Sequence, residues 1–153
     1  MIIVKKLNGA YNWGIYHKNI GATKLLAFTD AIPDDDASYW NDVEPTSSVF
    51  NLGSSALTNG SGSTMIAYCF SEVKGYSKFS SYTGNGNADG TFVYTGFKPA
   101  FVITKCTDAS PKTWVILDNK RDSFNLMNKK LFSNNSDFEY SGQNACDFLS
   151  NGF

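Results

Sequence analysis

The chain carries an internal repeat that does not come out even. Ile3-Val4-Lys5, seven residues and then Trp13-Gly14-Ile15-Tyr16-His17 are matched by Ile103-Thr104-Lys105, eight residues and then Trp114-Val115-Ile116-Leu117-Asp118. Downstream, Val49-Phe50-Asn51-Leu52-Gly53 stands where the second copy reaches Asn151-Gly152-Phe153. Trp13 to Phe50 spans 37 residues and Trp114 to Phe153 spans 39, so the offset is 101 at Trp and 103 at Phe. A period of about 100 in a chain of 153 residues gives one and a half copies. The second copy has no counterpart of residues 64–73, and by periodicity whatever precedes Met1 resembles residues 82–95. An open sheet edge or uncovered apolar face costs stability and invites pairing. Residues 1–76 and 77–153 are therefore expected to be two partial repeats that complete each other in one compact β domain. The other solution is a fragment of a longer tandem protein that leaves edges for a neighbour. Self-association is an expectation of the missing strand.

The local pattern is that of strands. Residues 1–5 (MIIVK), 13–16 (WGIY), 64–73 (TMIAYCFSEV), 91–95 (TFVYT), 100–105 (AFVITK) and 114–117 (WVIL) are rich in β-branched and aromatic residues, with Gly, Asn, Asp or Pro at their ends. Asn8-Gly9, Asn59-Gly60 and Asn85-Gly86 read as tight turns, because these residues tolerate positive φ. Helical spacing is weak. Phe124, Met127 and Leu131 suggest one helical turn over 123–131. The expected fold is all-β, an antiparallel sandwich of the jelly-roll or concanavalin-like kind with short helical turns at most.

Charge and cysteine content exclude several classes. Net charge is −1, and Lys120-Arg121 and Lys129-Lys130 are balanced by acids, so a basic nucleic-acid groove is not expected. No apolar run has the length of a membrane helix, and the N-terminal MIIVKK does not read as a signal peptide. Cys69, Cys106 and Cys146 are odd in number and widely spaced, with no CxxC pair. They read as buried free thiols of a protein made in a reducing cytoplasm.

Two stretches carry a family resemblance. One is SYTGNGNADGTFVYTGFKPAFV at 81–102. The other is WVILDNKRD at 114–122 together with FLSNGF at 148–153. With AYCFSEV at 67–73, they resemble a repeated domain of unknown function in large tail and virion-associated proteins of phages, especially marine ones. In that family the unit begins near YTGNG and ends near AYxF, which implies a boundary around residues 74–81 and an incomplete unit on each side. The resemblance implies a structural or adhesion module on the virion surface, made in the host cytoplasm. Its partners would be other virion chains or a host-surface glycan. It brings no catalytic residues, so no enzyme activity is expected from it.

Several constellations point to chemistry. Asn85, Asn87 and Asp89 place oxygen-bearing side chains at alternate positions before Gly90, a spacing that can wrap Ca²⁺ or simply order a Gly-rich turn. The twelfth position of a calcium loop starting at Asn85 is Gly96 instead of a bidentate Glu. No other cofactor is expected. Asp34-Asp35-Asp36 reads as a solvated acidic loop after Pro33. Trp13 and Trp114 are equivalent across the repeat and read as core. Trp40 is not, and it stands among Tyr39, Asn41 and Asp42. An exposed aromatic beside amides and carboxylates can stack and hydrogen-bond a sugar, which makes these four the candidate ligand site. The competing reading is a loop anchor packed on the sandwich.

Catalysis has less to stand on. His17 is the only histidine, no Gly-x-Ser-x-Gly elbow accompanies it, and its repeat counterpart is Asp118, so both read as polar strand ends. Glycoside cleavage needs two facing carboxylates. Glu44, Glu72, Glu139 and eleven aspartates are available, but spacing pairs none of them. The alternatives to adhesion are a purely structural repeat spacer and, further off, a glycan-degrading enzyme.

Overall fold

The computed structural model describes residues 1–142 and 145–153. Eight strands and a single helical turn make it an all-β protein with two antiparallel sheets. The chain divides into two compact units, Met1–Ser71 with Cys106–Lys112 and Glu72–Lys105 with Thr113–Phe153.

The first unit holds a five-stranded sheet in the order β4-β3-β2-β1-β5, from β1 (Ile2–Lys6), β2 (Gly14–Tyr16), β3 (Lys24–Ala27), β4 (Asp34–Asp35) and β5 (Met65–Cys69). Strand alternation sends Ile2 and Val4 of β1, Tyr16 of β2 and Leu25 of β3 to one face, where they form a core with Ala22 and Trp40. The opposite face is also buried at its centre, by Ile15 and Leu26. There Trp13 stacks on Tyr68 at 6.2 Å and meets the edge of Phe28 at 6.3 Å.

The acidic run is not the free loop expected of it. Asp34 and Asp35 pair with Leu25 and Lys24 as an edge strand. Their exposed carboxylates guard that edge, as charges on edge strands commonly do. The helical turn α1 (Ala56–Asn59) starts at Ser55, whose hydroxyl accepts the Leu57 N–H. Asn59-Gly60 thus ends a helix instead of turning a hairpin. Leu57 packs on the core. A Cβ on Gly14 would lie 2.4 Å from Leu57 Cδ2, so the glycine leaves room for the helix.

The second unit holds a three-stranded sheet in the order β6-β7-β8, from β6 (Phe101–Thr104), β7 (Val115–Asp118) and β8 (Leu131–Phe132). Its core is Val102, Leu117, Met127 and Phe148, with Val115, Cys146 and Phe153 against it. The expected helical turn at 123–131 is absent. Met127 instead bridges Cys146, Leu131 lies in β8, and Asn125 holds Phe148 by two bonds, accepting its N–H at 3.0 Å and donating to its C=O at 3.1 Å. Those bonds replace the local i to i+4 ladder a helix would use. The 91–95 run is not a ladder strand either. It contributes a single bridge at Tyr94 and a reciprocal pair of bonds between Val93 and Phe153.

The repeat is structural. Ile3 pairs with Ile15 and Val4 with Gly14, while Ile103 pairs with Ile116 and Thr104 with Val115. Ile15 pairs with Leu26, as Ile116 pairs with Leu131. Thus β1-β2-β3 and β6-β7-β8 share order and register. The turns after β2 and β7 also correspond. His17 Nδ1 accepts the Asn19 N–H at 3.3 Å, and Asp118 Oδ1 accepts the Lys120 N–H at 3.0 Å. Both residues therefore cap strand ends.

Backbone packing sets a first prediction. A Cβ on Gly152 would lie 2.3 Å from the Val93 carbonyl oxygen, whereas one on Gly84 would meet nothing within 4 Å. Gly152→Ala is expected to lower stability by about 1–3 kcal/mol and Gly84→Ala by much less, read by thermal melting.

Candidate functional site

The Trp40 cluster is built as an anchor. Trp40 is 2% exposed. Its indole N–H donates to the Lys24 carbonyl at 3.1 Å, and its ring meets the edge of Tyr16 at 5.9 Å. No face of this ring is open to a sugar, which corrects the expectation of an exposed Trp40. Tyr39 is half-buried, and its hydroxyl donates to Asp34. Asn41 and Asp42 are exposed, with φ of 57° and 52°. That left-handed pair turns the chain sharply after Trp40. The segment is tied down again two residues later. Glu44 accepts the Tyr16 hydroxyl at 2.5 Å and the Ala22 N–H at 2.7 Å.

Burial, together with the Glu44 carboxylate, pushes the Tyr16 phenol far above its ordinary value. The bond to Asp34, with burial, pushes Tyr39 up to about 12. Both phenols are donors, so their bonds exist only while they are protonated. A folded value above the unfolded one gives stability that is complete below pH ~10 and lost as pH rises through the folded value. Melting temperature is expected to fall between pH 10 and 12, and less steeply in a Tyr39→Phe variant.

The Asn85, Asn87 and Asp89 positions form a self-ordered loop. Asn85 Oδ1 accepts the Asn87 N–H at 3.0 Å, Asn87 Oδ1 accepts the Asp89 N–H at 3.1 Å, and Asn85 Nδ2 donates to the Asp89 carbonyl at 2.9 Å. These are successive Asx turns, and they account for the alternating spacing as backbone structure. Among the described residues no group of three or more His, Cys, Asp and Glu side chains is placed to hold a metal ion.

Three further carboxylates of the second unit are engaged. Asp118 binds Arg121 Nε at 2.7 Å, Glu139 lies 3.5 Å from the same guanidinium, and Asp122 accepts the N–H groups of Asn128 and Lys129. The Arg121 guanidinium holds the Asp118 carboxyl below the usual range, opposite to the direction a general acid needs. The thiols do not share one environment. Cys69 is exposed on β5, Cys106 and Cys146 are half-buried, and all three are free. The expectation of burial fails for Cys69 because β5 lies at the sheet edge. Burial pushes the Cys146 thiol up to about 11, so it stays protonated at neutral pH.

A concave groove lies elsewhere, within the second unit. A tight turn sets one wall. Val73 and Ser77 bridge, Gly75 adopts φ +76°, and the Tyr76 and Ser77 N–H groups both bond the Val73 carbonyl. The other wall is Tyr94-Thr95-Gly96, fixed by the Thr95 and Gly96 N–H groups on the Asn151 carbonyl. Together they line a groove of about 360 Å³. Tyr94 is 65% exposed. Glu72 accepts the Phe79 N–H at 3.0 Å and pairs with Lys78 at 3.4 Å, which leaves the pair neutral. Lys74 makes no ion pair among the described residues, so the groove carries one net positive charge.

The sequence held no signal that singles out Tyr94. Phe92, Val93 and Tyr94 are all apolar, and only the structure separates the buried Val93 from its exposed neighbours. The partnership of residues 72–78 with 94–96 had none either, because the two segments are far apart in sequence and the 94–96 wall is held by the distant Asn151.

The chain belongs to the family described as Domain of unknown function (DUF7483), whose model matches residues 1–153. No curated protein and no solved structure matches it.

Proposed function

We propose that this domain is a structural and adhesion module of a phage tail or tail fibre, and that it binds a host-surface glycan in the groove of residues 72–78 and 94–96. The observation that carries the reading is the exposed Tyr94 ring beside Lys74 and Ser77 in that groove. An aromatic face covers the apolar side of a sugar ring, and hydroxyl and ammonium groups take its oxygens. The uncompensated Lys74 favours a carboxylate-bearing sugar over a neutral one. The groove's volume is at the lower end of small-molecule sites and suits a short glycan. The motifs at 81–102 and 114–122, with their resemblance to repeats of phage tail proteins, support the virion setting. A turn and a loop tip form the walls, and these are the parts of a β scaffold that vary without disturbing the core. The module holds its ligand without cleaving it. A spacer role is favoured by one further observation, the shared register of β1-β2-β3 and β6-β7-β8, which suits stacking of units.

The test is calorimetric titration with uronic-acid and sialylated oligosaccharides against neutral ones. Acidic glycans are expected to bind, more weakly in high salt. Tyr94→Ala is expected to reduce affinity by about tenfold or more, ~1.4 kcal/mol, with unchanged melting. Absence of glycan binding, or equal affinity in the variant, removes the groove reading and leaves the spacer.

A further inference from the structure

The two copies of the three-stranded motif differ at one edge. In β1 the odd-numbered residues bond outward to β5: Met1 and Phe70 exchange both bonds, at 2.9 and 3.1 Å, and Leu7 donates to Thr64 at 2.8 Å. The constant register places Ile3 opposite Tyr68 and Lys5 opposite Ile66 as the hydrogen-bonded pairs between these ends. In β6 the Asn119 N–H donates to the Ala100 carbonyl at 3.0 Å, so Ala100, Val102 and Thr104 bond β7. Phe101 and Ile103 therefore aim their N–H and C=O groups away from β7. They correspond in register to Met1 and Ile3, the residues that hold β5 in the first copy. No strand is paired on that side of β6 among the described residues. Between the flanking Pro99 and Lys105, the strand itself is unprotected: Phe101–Thr104 contains neither charge nor proline, and Phe101 is 58% exposed.

We propose that the free edge of β6 is a strand-acceptor site. It takes an antiparallel segment of the β5 type, uncharged like Met65–Cys69 and continued by a second aromatic as Tyr68 is by Phe70, supplied by another repeat unit of this family. The occupant follows from the repeat. Where the same backbone register occurs in the first unit, a strand of this sequence fills the same edge. The added strand bonds by β-augmentation, its main chain giving affinity and its alternate side chains specificity. In the register of the first copy, Ile103 pairs with the position of Tyr68 and Phe101 with that of Phe70. The site is independent of the glycan groove, and neither reading needs the other.

The probe is a fluorescein-labelled peptide of residues 64–71, titrated under reducing conditions into the full chain. Saturable binding is expected. N-methylation at the peptide's Tyr68, whose N–H would face Ile103, is expected to weaken binding by about tenfold or more. N-methylation at its Ala67, whose N–H would face away, is expected to leave binding within about twofold. Ile103→Pro, which removes an N–H with no intrachain use, is expected to abolish binding with melting close to the parent's. Hydrogen exchange on the unmodified chain provides a second readout, with the Phe101 and Ile103 amides slowed by the peptide. Lack of binding, equal loss from both N-methyl peptides, or protection falling on Ala67 and Cys69 of β5 instead would overturn the proposal.

Discussion

The alternation of hydrogen-bonded and non-bonded pairs between β1 and β2 orders most of what surrounds it. An antiparallel ladder fixes which face each side chain takes and which side each backbone group bonds in the same step. Ile2 and Val4 face the first core because their backbones bond β2, and Ile3 faces the other way because its backbone bonds β5. A slip of one residue would bury Lys5 and expose Val4. The same parity is kept in β6 and β7, where Val102 lies in the core and Phe101 is exposed. The copies therefore share a rule of orientation as well as a sequence pattern.

Around that shared motif the units diverge, and single residues show why. Gly14 admits Leu57 of α1, while the position that pairs alike in the second copy is Val115, part of the apolar cluster there. In the first unit the long excursion after β3 is pinned by Trp40 on Lys24 and by Glu44 on Tyr16 and Ala22. In the second the corresponding work falls to Asn125 on Phe148 and to Asp122 on Asn128 and Lys129. A buried aromatic with a carboxylate in one unit, and a side-chain amide with a carboxylate in the other, reach the same end, which is to bond backbone groups and so fix an irregular segment in place.

What could be read from sequence follows from the range of the interactions involved. β1, β2, β5, β6 and β7 lie in runs whose β-branched and aromatic residues reveal them locally. β3 was missed because KLLA is too short and carries no β-branched residue, and β4 because two aspartates have no strand propensity and pair only where β3 offers an edge. Phe124, Met127 and Leu131 had helical spacing by coincidence, overridden by the contacts of Met127 with Cys146 and of Asn125 with Phe148. Trp40 was ambiguous for a related reason. Its polar neighbours in sequence are at the surface, while its ring points inward, and a positive φ at Asn41 and Asp42 separates the two. The groove was illegible because its walls are about twenty residues apart in sequence and one of them is fixed by the distant Asn151.

The two edges of the first sheet frame a last contrast. One edge ends in β4, two residues long and carrying exposed carboxylates, with Tyr39 on Asp34 and Lys24 at 4.0 Å from Asp35. The other ends in β5, five residues long and uncharged. Short charged edges deter added strands, and longer apolar ones do not. A sheet protected at one end only has a direction along which another strand can be added. The second unit shares the uncharged edge alone: β6 is uncharged at the end that corresponds to β1, while the opposite edge strand β8, Leu131–Phe132, is short without being charged. Both sheets thus carry an uncharged strand edge on the side of β1 or its counterpart, an asymmetry of the backbone that owes nothing to the groove.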